Sequence, residues 1–464
     1  MYSLPVYQQI IGEVTDMDNL KWIYTTQDNK WEEASAVFTE ASEDTLEITG
    51  DRYQKIDGFG GCFNELGWIA LSKLTEKDRQ KVISELFDAD TGCRFNFCRM
   101  PIGASDYAAG WYSHNENDGD YAMEKFSIDR DRLYLIPFIN EALKLRPDLK
   151  MFASPWSPPA WMKEPKVYNY GRLVMTNEIL SAYALYFKKF IEAYSAEGIN
   201  INQIHIQNEP YADQKFPSCR WSGEQFRIFI REYLGPLFEK EKLDTEIWLG
   251  TLNGPEGMAL TFSGLVENDY DSNVDQVLFD KEARKYLAGV GYQWAGKHAI
   301  QRTHESFPEL KLMQTENECG DGTNTWNYAR YVFNLIRHYM DNGVNSYIYW
   351  NMVLEPTGRS TWGWNQNSLI TVNPDTKEVI YNPEFYLMKH FSHFVMPEAV
   401  RLGTRGHWTG ASLAFKNPNG EIVVVVSNAL DKPRSITIKV KNEEFTVELK
   451  PLSFNTFVLN SKSI

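Results

Sequence analysis

The sequence predicts an α/β fold, a (β/α)8 TIM barrel with an attached side β-sandwich formed by both chain termini, on three observations. From about residue 51 to 392, short apolar runs alternate with segments of helical period, the signature of a mostly parallel sheet covered by helices. After residue 411 the pattern changes to β-rich runs separated by turn residues, as in an antiparallel sandwich. Two of the earlier runs, Ile204 to Glu209 and Lys311 to Glu316, end at a glutamate. A buried strand delivers side chains to a cleft in this way, and in a parallel barrel the C-terminal strand ends carry the chemistry.

Taken in order, residues 8–50 are strand-like and broken by turns, with Val37-Phe-Thr and Leu46-Glu-Ile-Thr as the clearest runs. They are too few for a core of their own, so residues 1–50 are assigned to the sandwich, 51–392 to the barrel and 393–464 to the rest of the sandwich. Eight barrel strands are expected: Gln54–Phe63, Phe95–Ile102, Lys150–Pro155, Gln203–Asn208, Glu246–Leu252, Gly289–Gln293, Lys311–Thr315 and Ser346–Met352. Helical faces fall between them. Leu133, Ile136, Phe138, Ala142 and Leu143 form one, and Ile179, Ala182, Leu185, Phe187, Phe190 and Ile191 another. Phe226, Ile228, Ile230 and Leu234 follow Ser222-x-x-Gln225, a capping box that would satisfy the first amides of that helix. Asn324–Met340 supplies a further helix.

Composition narrows the function. The 464 residues are 43% apolar and 23% charged, a soluble globular balance with room for a barrel and a second domain. The excess is aromatic, with 14 Trp, 25 Tyr and 26 Phe, and the flat C–H faces of sugars stack on such rings. A net charge of −15 opposes nucleic acid and anionic membranes. Cys62, Cys93, Cys98, Cys219 and Cys319 form no CxxC pair and read as reduced, buried thiols. No run of about 18 apolar residues predicts membrane insertion. The sequence as it stands reads as cytoplasmic, or as a secreted form whose signal has been removed.

The chemistry rests on the two glutamates. Cleaving a glycosidic bond needs one carboxyl as proton donor and a second as the anion that attacks the anomeric carbon. Glu209, inside Asn208-Glu-Pro, suits the acid, and Asn208 is placed to hydrogen-bond a sugar hydroxyl. Glu316 suits the nucleophile. Glu318 is its rival, because strand alternation sends both to one face. The spacing from Glu209 to Glu316 fits three βα units, placing them on strands four and seven across the barrel mouth. A separation of about 5–5.5 Å would mean retention of configuration and about 6.5–9.5 Å inversion. The glycine-rich segment from Gly58 to Glu65 lacks the Gly-Lys-Ser/Thr ending of a phosphate loop; its glycines read as a tight bend presenting Asn64 and Glu65. Arg99 ends strand two and could hold a catalytic carboxylate ionised. Trp156 and Trp161 stand among prolines, Trp350 ends strand eight, and Trp362 and Trp364 follow it, all candidates for cleft or core. No HExxH, serine elbow or dinucleotide motif occurs, so no metal or organic cofactor is expected.

Taken together, the chain resembles glycoside hydrolase family 30, a glucosylceramidase-like family of the clan A barrels. The resemblance rests on the segments Gln54 to Gly61, Arg99 to Asp106, Ala153 to Lys163, Gln207 to Pro210, Gln314 to Cys319, Tyr349-Trp-Asn and Tyr381-Asn-Pro-Glu-Phe-Tyr, and covers nearly the whole chain. It implies a retaining mechanism, Glu209 as acid/base and Glu316 rather than Glu318 as nucleophile. It also implies a reacting-sugar subsite of Glu65, Trp156, Asn208 and Trp350 supported by Arg99. Where many members have His-x-Tyr at the end of strand six, this chain has Tyr292-Gln-Trp294, which leaves Tyr292 or Trp294 to contact the nucleophile. The exit Asn64-Glu65 resembles that of the glucosylceramidases, which makes a β-D-glucoside the expected substrate. The same fold could instead serve β-1,6-glucan, xyloside, galactan or fucoside cleavage, or a non-catalytic carbohydrate-binding protein.

Overall fold

The computed structural model describes residues 20–34, 42–254, 270–441 and 443–460. Eight parallel strands close into a barrel in chain order: Gly58–Cys62, Phe97–Ile102, Lys150–Pro155, Gln203–His205, Glu246–Leu252, Leu287–Gln293, Lys311–Glu316 and Ser346–Asn351. The eighth strand pairs with the first, Ser346 opposite Gly58, and seals it.

Alternate residues of each strand face the barrel axis. Phe97, Phe152, Trp248, Met313 and Ile348 make an apolar cluster inside it. Two residues further along those same strands stand Arg99, Ser154, Gly250, Thr315 and Trp350. Polar side chains, Arg99, Ser154 and Thr315, thus first enter the barrel toward the C-terminal strand ends, and the apolar layer supports the site from below. Helices close the outside. Asn177–Ala196 is capped by Thr176, and Gly223–Ile228 by the Ser222–Gln225 box, in which both reciprocal bonds form. Trp326–Asp341 occupies the place expected of Asn324–Met340, starting after its Thr325 cap.

A nine-stranded sheet draws strands from both chain ends. Leu20–Thr25, Glu32–Glu33 and Thr45–Lys55 join six strands between Val400 and Leu459. Ile422–Asn428 is buried throughout because it has two dry faces. Ile422, Val424 and Val426 pack into the sheet's own core with Trp22, Ile438 and Val447, whereas Val423 and Val425 pack into the large core shared with the barrel. The helix Pro383–Ser392 lies at that junction, where the buried His390 ring meets Thr456 Oγ1 at 2.8 Å and Thr25 Oγ1 at 3.0 Å.

Several expectations need correction. The run Gln54–Phe63 is divided between two sheets: Thr45–Lys55 belongs to the sandwich, and the barrel strand begins only at Gly58. The fourth barrel strand stops at His205, short of Asn208. The sandwich is not wholly antiparallel, since Arg434–Val440 runs parallel to Thr45–Lys55. Val37-Phe-Thr lies outside the described residues. The glycines after Gly58 do not make a bend; they lie in the first barrel strand against close neighbours. A Cβ on Gly60 would stand 1.9 Å from the Phe97 carbonyl oxygen.

That contact is with backbone and cannot be relieved by a rotamer change. Gly60→Ala should destabilise by about 3 kcal/mol or more, at the upper end of overpacking costs. A thermal midpoint within a degree or two of wild type would show that the first two strands are not held this closely.

Candidate active site

The C-terminal strand ends surround a cavity of about 400 Å³ that contains both glutamates. Glu209 reaches it from the turn after strand four. Its backbone has φ of 47°, a left-handed conformation that costs a non-glycine residue about 1–3 kcal/mol and is typical of functional turns. The turn is stitched to strand five, with Gln207 N–H donating to Gly250 O at 2.9 Å and Glu209 N–H to Thr251 O at 3.0 Å.

Glu316 arrives by a different device. Tyr292 pairs with Gln314, but Gln293 pairs with Glu316, so strand seven carries one extra residue at Thr315. This bulge breaks the alternation and lets both Thr315 and Glu316 bond to groups within the barrel mouth. Thr315 Oγ1 donates to Gln293 Oε1 at 2.9 Å, and Glu316 Oε2 accepts from Arg99 Nη1 at 2.7 Å. The carboxylate's other oxygen accepts from the Trp294 indole N–H at 3.0 Å. Glu318 lies beyond the strand end, paired with Lys297 and accepting from the Tyr331 hydroxyl at 2.6 Å. It is not among the cavity-lining residues.

Arg99 is fully buried beneath the cavity, its guanidinium 4.6 Å from the Trp156 ring centroid and 5.1 Å from that of Trp350. Beyond Glu316 it donates to Ser154 Oγ at 2.9 Å and to Asn208 Oδ1 at 2.7 Å. Asn208 Oδ1 also accepts from Thr251 Oγ1 at 3.1 Å and Gln293 Nε2 at 3.2 Å. With its oxygen so engaged, the Asn208 amide nitrogen is the group left to donate to a ligand.

The two carboxyls differ in their electrostatic surroundings. Burial raises both. At Glu316 the Arg99 charge and the Trp294 N–H oppose that rise and favour the anion. Glu209 receives one neutral donor, the Gln293 amide at 3.1 Å, and burial together with the Glu316 charge pushes it up to about 8. A proton shared between them resides on Glu209.

Of the other expected residues, Trp156, Asn208, Trp294 and Trp364 line the cavity. Trp161 is core, its indole N–H donating to Asn115 O at 2.9 Å. Four do not line it. Glu65 starts a helix and is held by Arg130 through bonds of 2.9 and 3.0 Å and by the Ala109 N–H at 2.7 Å. Tyr292 points out of the barrel to Thr303 Oγ1 at 2.6 Å, one residue out of phase with Gln293. Arg99 and Trp350 stand behind the wall and support it. Asn64 is turned away as well, bonded to Asn351 at 3.0 Å, so the Asn64–Glu65 exit gives no reason to prefer a gluco-configured sugar.

Several groups of the site escaped the sequence reading, Gln293, Asp106 and Phe216 among them. Gln293 is the polar hinge between Arg99, Asn208, Glu209 and Thr315; its signal was the inward phase opposite to Tyr292. Asp106 lines the cavity with Oδ1 lacking a protein partner, and burial plus the Glu316 charge push it up to about 8, so it can bond sugar hydroxyls as a neutral acid. Phe216 stands edge-on to Trp364 at 4.7 Å on the outer wall, and nothing in its sequence context marks it.

A parallel barrel presenting an anchored carboxylate and a protonated carboxyl in one aromatic-walled cavity defines a glycoside hydrolase. The model of the glycosyl hydrolase family 30 TIM-barrel domain matches residues 56–395 and that of the family's beta sandwich domain matches 398–457, so the chain belongs to glycosyl hydrolase family 30. Putative glucosylceramidase 1 of Caenorhabditis elegans is 30% identical over 410 residues, 83% of this chain and 76% of that protein. Lysosomal acid glucosylceramidase of Mus musculus is 27% identical over 439 residues, 88% and 81% respectively. Among solved structures, an endo-beta1,6-glucanase superposes with a TM-score of 0.84 at 25% identity, covering 96% of this chain and 100% of that one.

Trp294→Phe removes a hydrogen bond to an ionised carboxylate, worth about 1.5–3 kcal/mol, so kcat/KM should fall by about ten- to a hundredfold. Because that N–H lowers the Glu316 pKa, the acid limb of the pH–rate profile should move to higher pH. An unmoved acid limb would mean that Glu316 does not need to be ionised.

Proposed function

We propose that this enzyme hydrolyses β-D-glucosidic linkages with retention, Glu209 acting as acid/base and Glu316 as nucleophile. The observation that carries the reading is the asymmetry of the pair: Arg99 and Trp294 hold Glu316 as an anion, while Glu209 has no cationic partner. In the first step a Glu316 oxygen bonds to the anomeric carbon as the bond to the leaving oxygen breaks, and Glu209 gives that oxygen its proton. In the second, Glu209 takes a proton from water, whose oxygen displaces Glu316 from the same carbon. Two inversions restore the β-configuration. The Asn208 amide is placed to donate to the hydroxyl beside the reacting carbon, and Asp106 to engage a hydroxyl elsewhere on the ring.

The glucosyl preference is supported by the glucosylceramidases among the relatives. A second reading, endo-β-1,6-glucan cleavage, is favoured by the full-length likeness to the endo-beta1,6-glucanase structure. Aryl β-glycosides of several sugars, assayed beside linear β-1,6-glucan, separate the two. Among the described residues no helix is long and apolar enough to cross a membrane. The five unpaired, buried thiols support a reducing, cytoplasmic location.

Glu316→Gly should abolish turnover of an aryl glycoside, and azide should restore it as the α-glycosyl azide, since the small anion enters where the carboxylate was. Glu318→Gly should keep near-normal activity; the opposite pattern would transfer the nucleophile to Glu318. Glu209→Ala should lose action on poor leaving groups yet still release dinitrophenol in a burst, followed by slow breakdown of the intermediate. Its alkaline limb, set in the wild type by loss of the acid at about 8, should flatten. Equal losses on good and poor leaving groups would leave Glu209 a positioning role only.

A further inference from the structure

Glu384 is a buried carboxyl that the mechanism does not use. It sits in the first turn of the helix Pro383–Ser392, fully enclosed. One oxygen accepts from Asn367 Nδ2 at 2.7 Å and distantly from the Tyr349 hydroxyl at 3.5 Å. The other, Oε2, has no partner. Among the described residues no cation meets it: Lys389 of the same helix turns to Glu85 at 3.4 Å. A carboxyl in an apolar junction costs free energy that an apolar side chain would not, so its one strong bond is the feature to explain.

That bond fixes Asn367, which ties two segments of the cavity wall. Asn367 N–H donates to Cys319 O at 2.6 Å, and Asn367 Oδ1 accepts from the Gly322 N–H at 2.9 Å and the Asn324 N–H at 3.2 Å. The chain from Cys319 to Asn324 follows the strand of Glu316 and includes Gly320, and Gln366 directly precedes Asn367; both line the cavity. A Cβ on Gly320 would lie 2.6 Å from Asn367 Cγ, so the two segments touch without slack. With its oxygen committed to two amides, Asn367 keeps this orientation only if its Nδ2 finds an acceptor, and Glu384 is that acceptor.

We infer that Glu384 is a positioning residue for substrate binding, acting through Asn367 to hold Gly320 and Gln366 in register on the cavity wall. The inference rests on the proposed glycosidase site. The acceptor role does not need a charge. Burial pushes Glu384 up to about 7, opposed by the Asn367 bond and by Tyr349 of the eighth barrel strand, the titratable group against it. Its folded value is thus above the ordinary 4.5, so its contribution to stability is full below that value and is lost as pH rises through about 7.

The test compares wild type with Glu384→Gln, which keeps an acceptor without a charge, and Glu384→Leu, which removes it. Amide hydrogen exchange at Gly322 and Asn324 should be about tenfold faster in Glu384→Leu and unchanged in Glu384→Gln. On whichever glycoside the wild type cleaves, Glu384→Leu should raise KM about five- to tenfold with kcat within about twofold, and Glu384→Gln should restore KM. Unchanged exchange in Glu384→Leu, or faster exchange with unchanged KM, overturns the inference. The exchange measurement needs no substrate, so a wrong sugar assignment shows separately, as absent wild-type turnover of β-glucosides. If Glu384→Leu does not fold, Glu384→Met, a side chain of similar length without an acceptor, is read by the same two measurements, and unchanged exchange or unchanged KM in it overturns the inference.

Discussion

The interaction on which the site depends is the burial of the Arg99 guanidinium against the adjoining rings of Trp156 and Trp350. A flat, delocalised cation tolerates burial against aromatic faces where a lysine ammonium would not, and its forked donors can serve several acceptors in fixed directions. Here they reach Glu316, Asn208 and Ser154 on three different barrel strands or their ends. The same charge holds Glu316, the proposed nucleophile, ionised and the Asn208 amide oriented, so the polarity of the carboxyl pair and the proposed handling of the sugar share one origin. The apolar layer of Phe97, Phe152, Trp248, Met313 and Ile348 fills the barrel directly below it.

Around that cation the carboxyls are graded by what each lacks. Glu316 has the cation and an indole donor, Glu209 an amide, and Asp106 an oxygen without a protein partner. Three acids near one positive charge cannot all ionise at low cost. The gradation lets one be an anion and leaves two to carry protons near neutrality, and it comes from donor placement rather than from differences in burial.

Much of this was legible in the sequence because strand ends are marked by abrupt changes of polarity. Lys150–Pro155 and Glu246–Leu252 have the limits read from their residues, and Ser222-x-x-Gln225 caps its helix as its pattern requires. What was not legible depends on register. The bulge at Thr315 brings Glu316 into the mouth and the strand ends there, leaving Glu318 outside, and no residue type in Gln314-Thr-Glu announces either. A shift of one position decides that Gln293 faces in and Tyr292 out. Glu65 follows a run that resembles a cleft edge, but the helix it begins carries its carboxylate to Arg130, sixty-five residues on. The break between the sandwich strand ending at Lys55 and the barrel strand starting at Gly58 is hidden by Ile56, which is buried like its neighbours in the barrel.

The central claim is that the anion held by Arg99 is the one that bonds to sugar. It is tested most directly by trapping the intermediate with a 2-deoxy-2-fluoro β-glucoside bearing a dinitrophenyl leaving group and locating the label by fragmentation mass spectrometry. The account predicts one glycosyl group per chain, on Glu316. A label on Glu318 or on Glu209, or hydrolysis to the α-anomer without any trapped species, would contradict it.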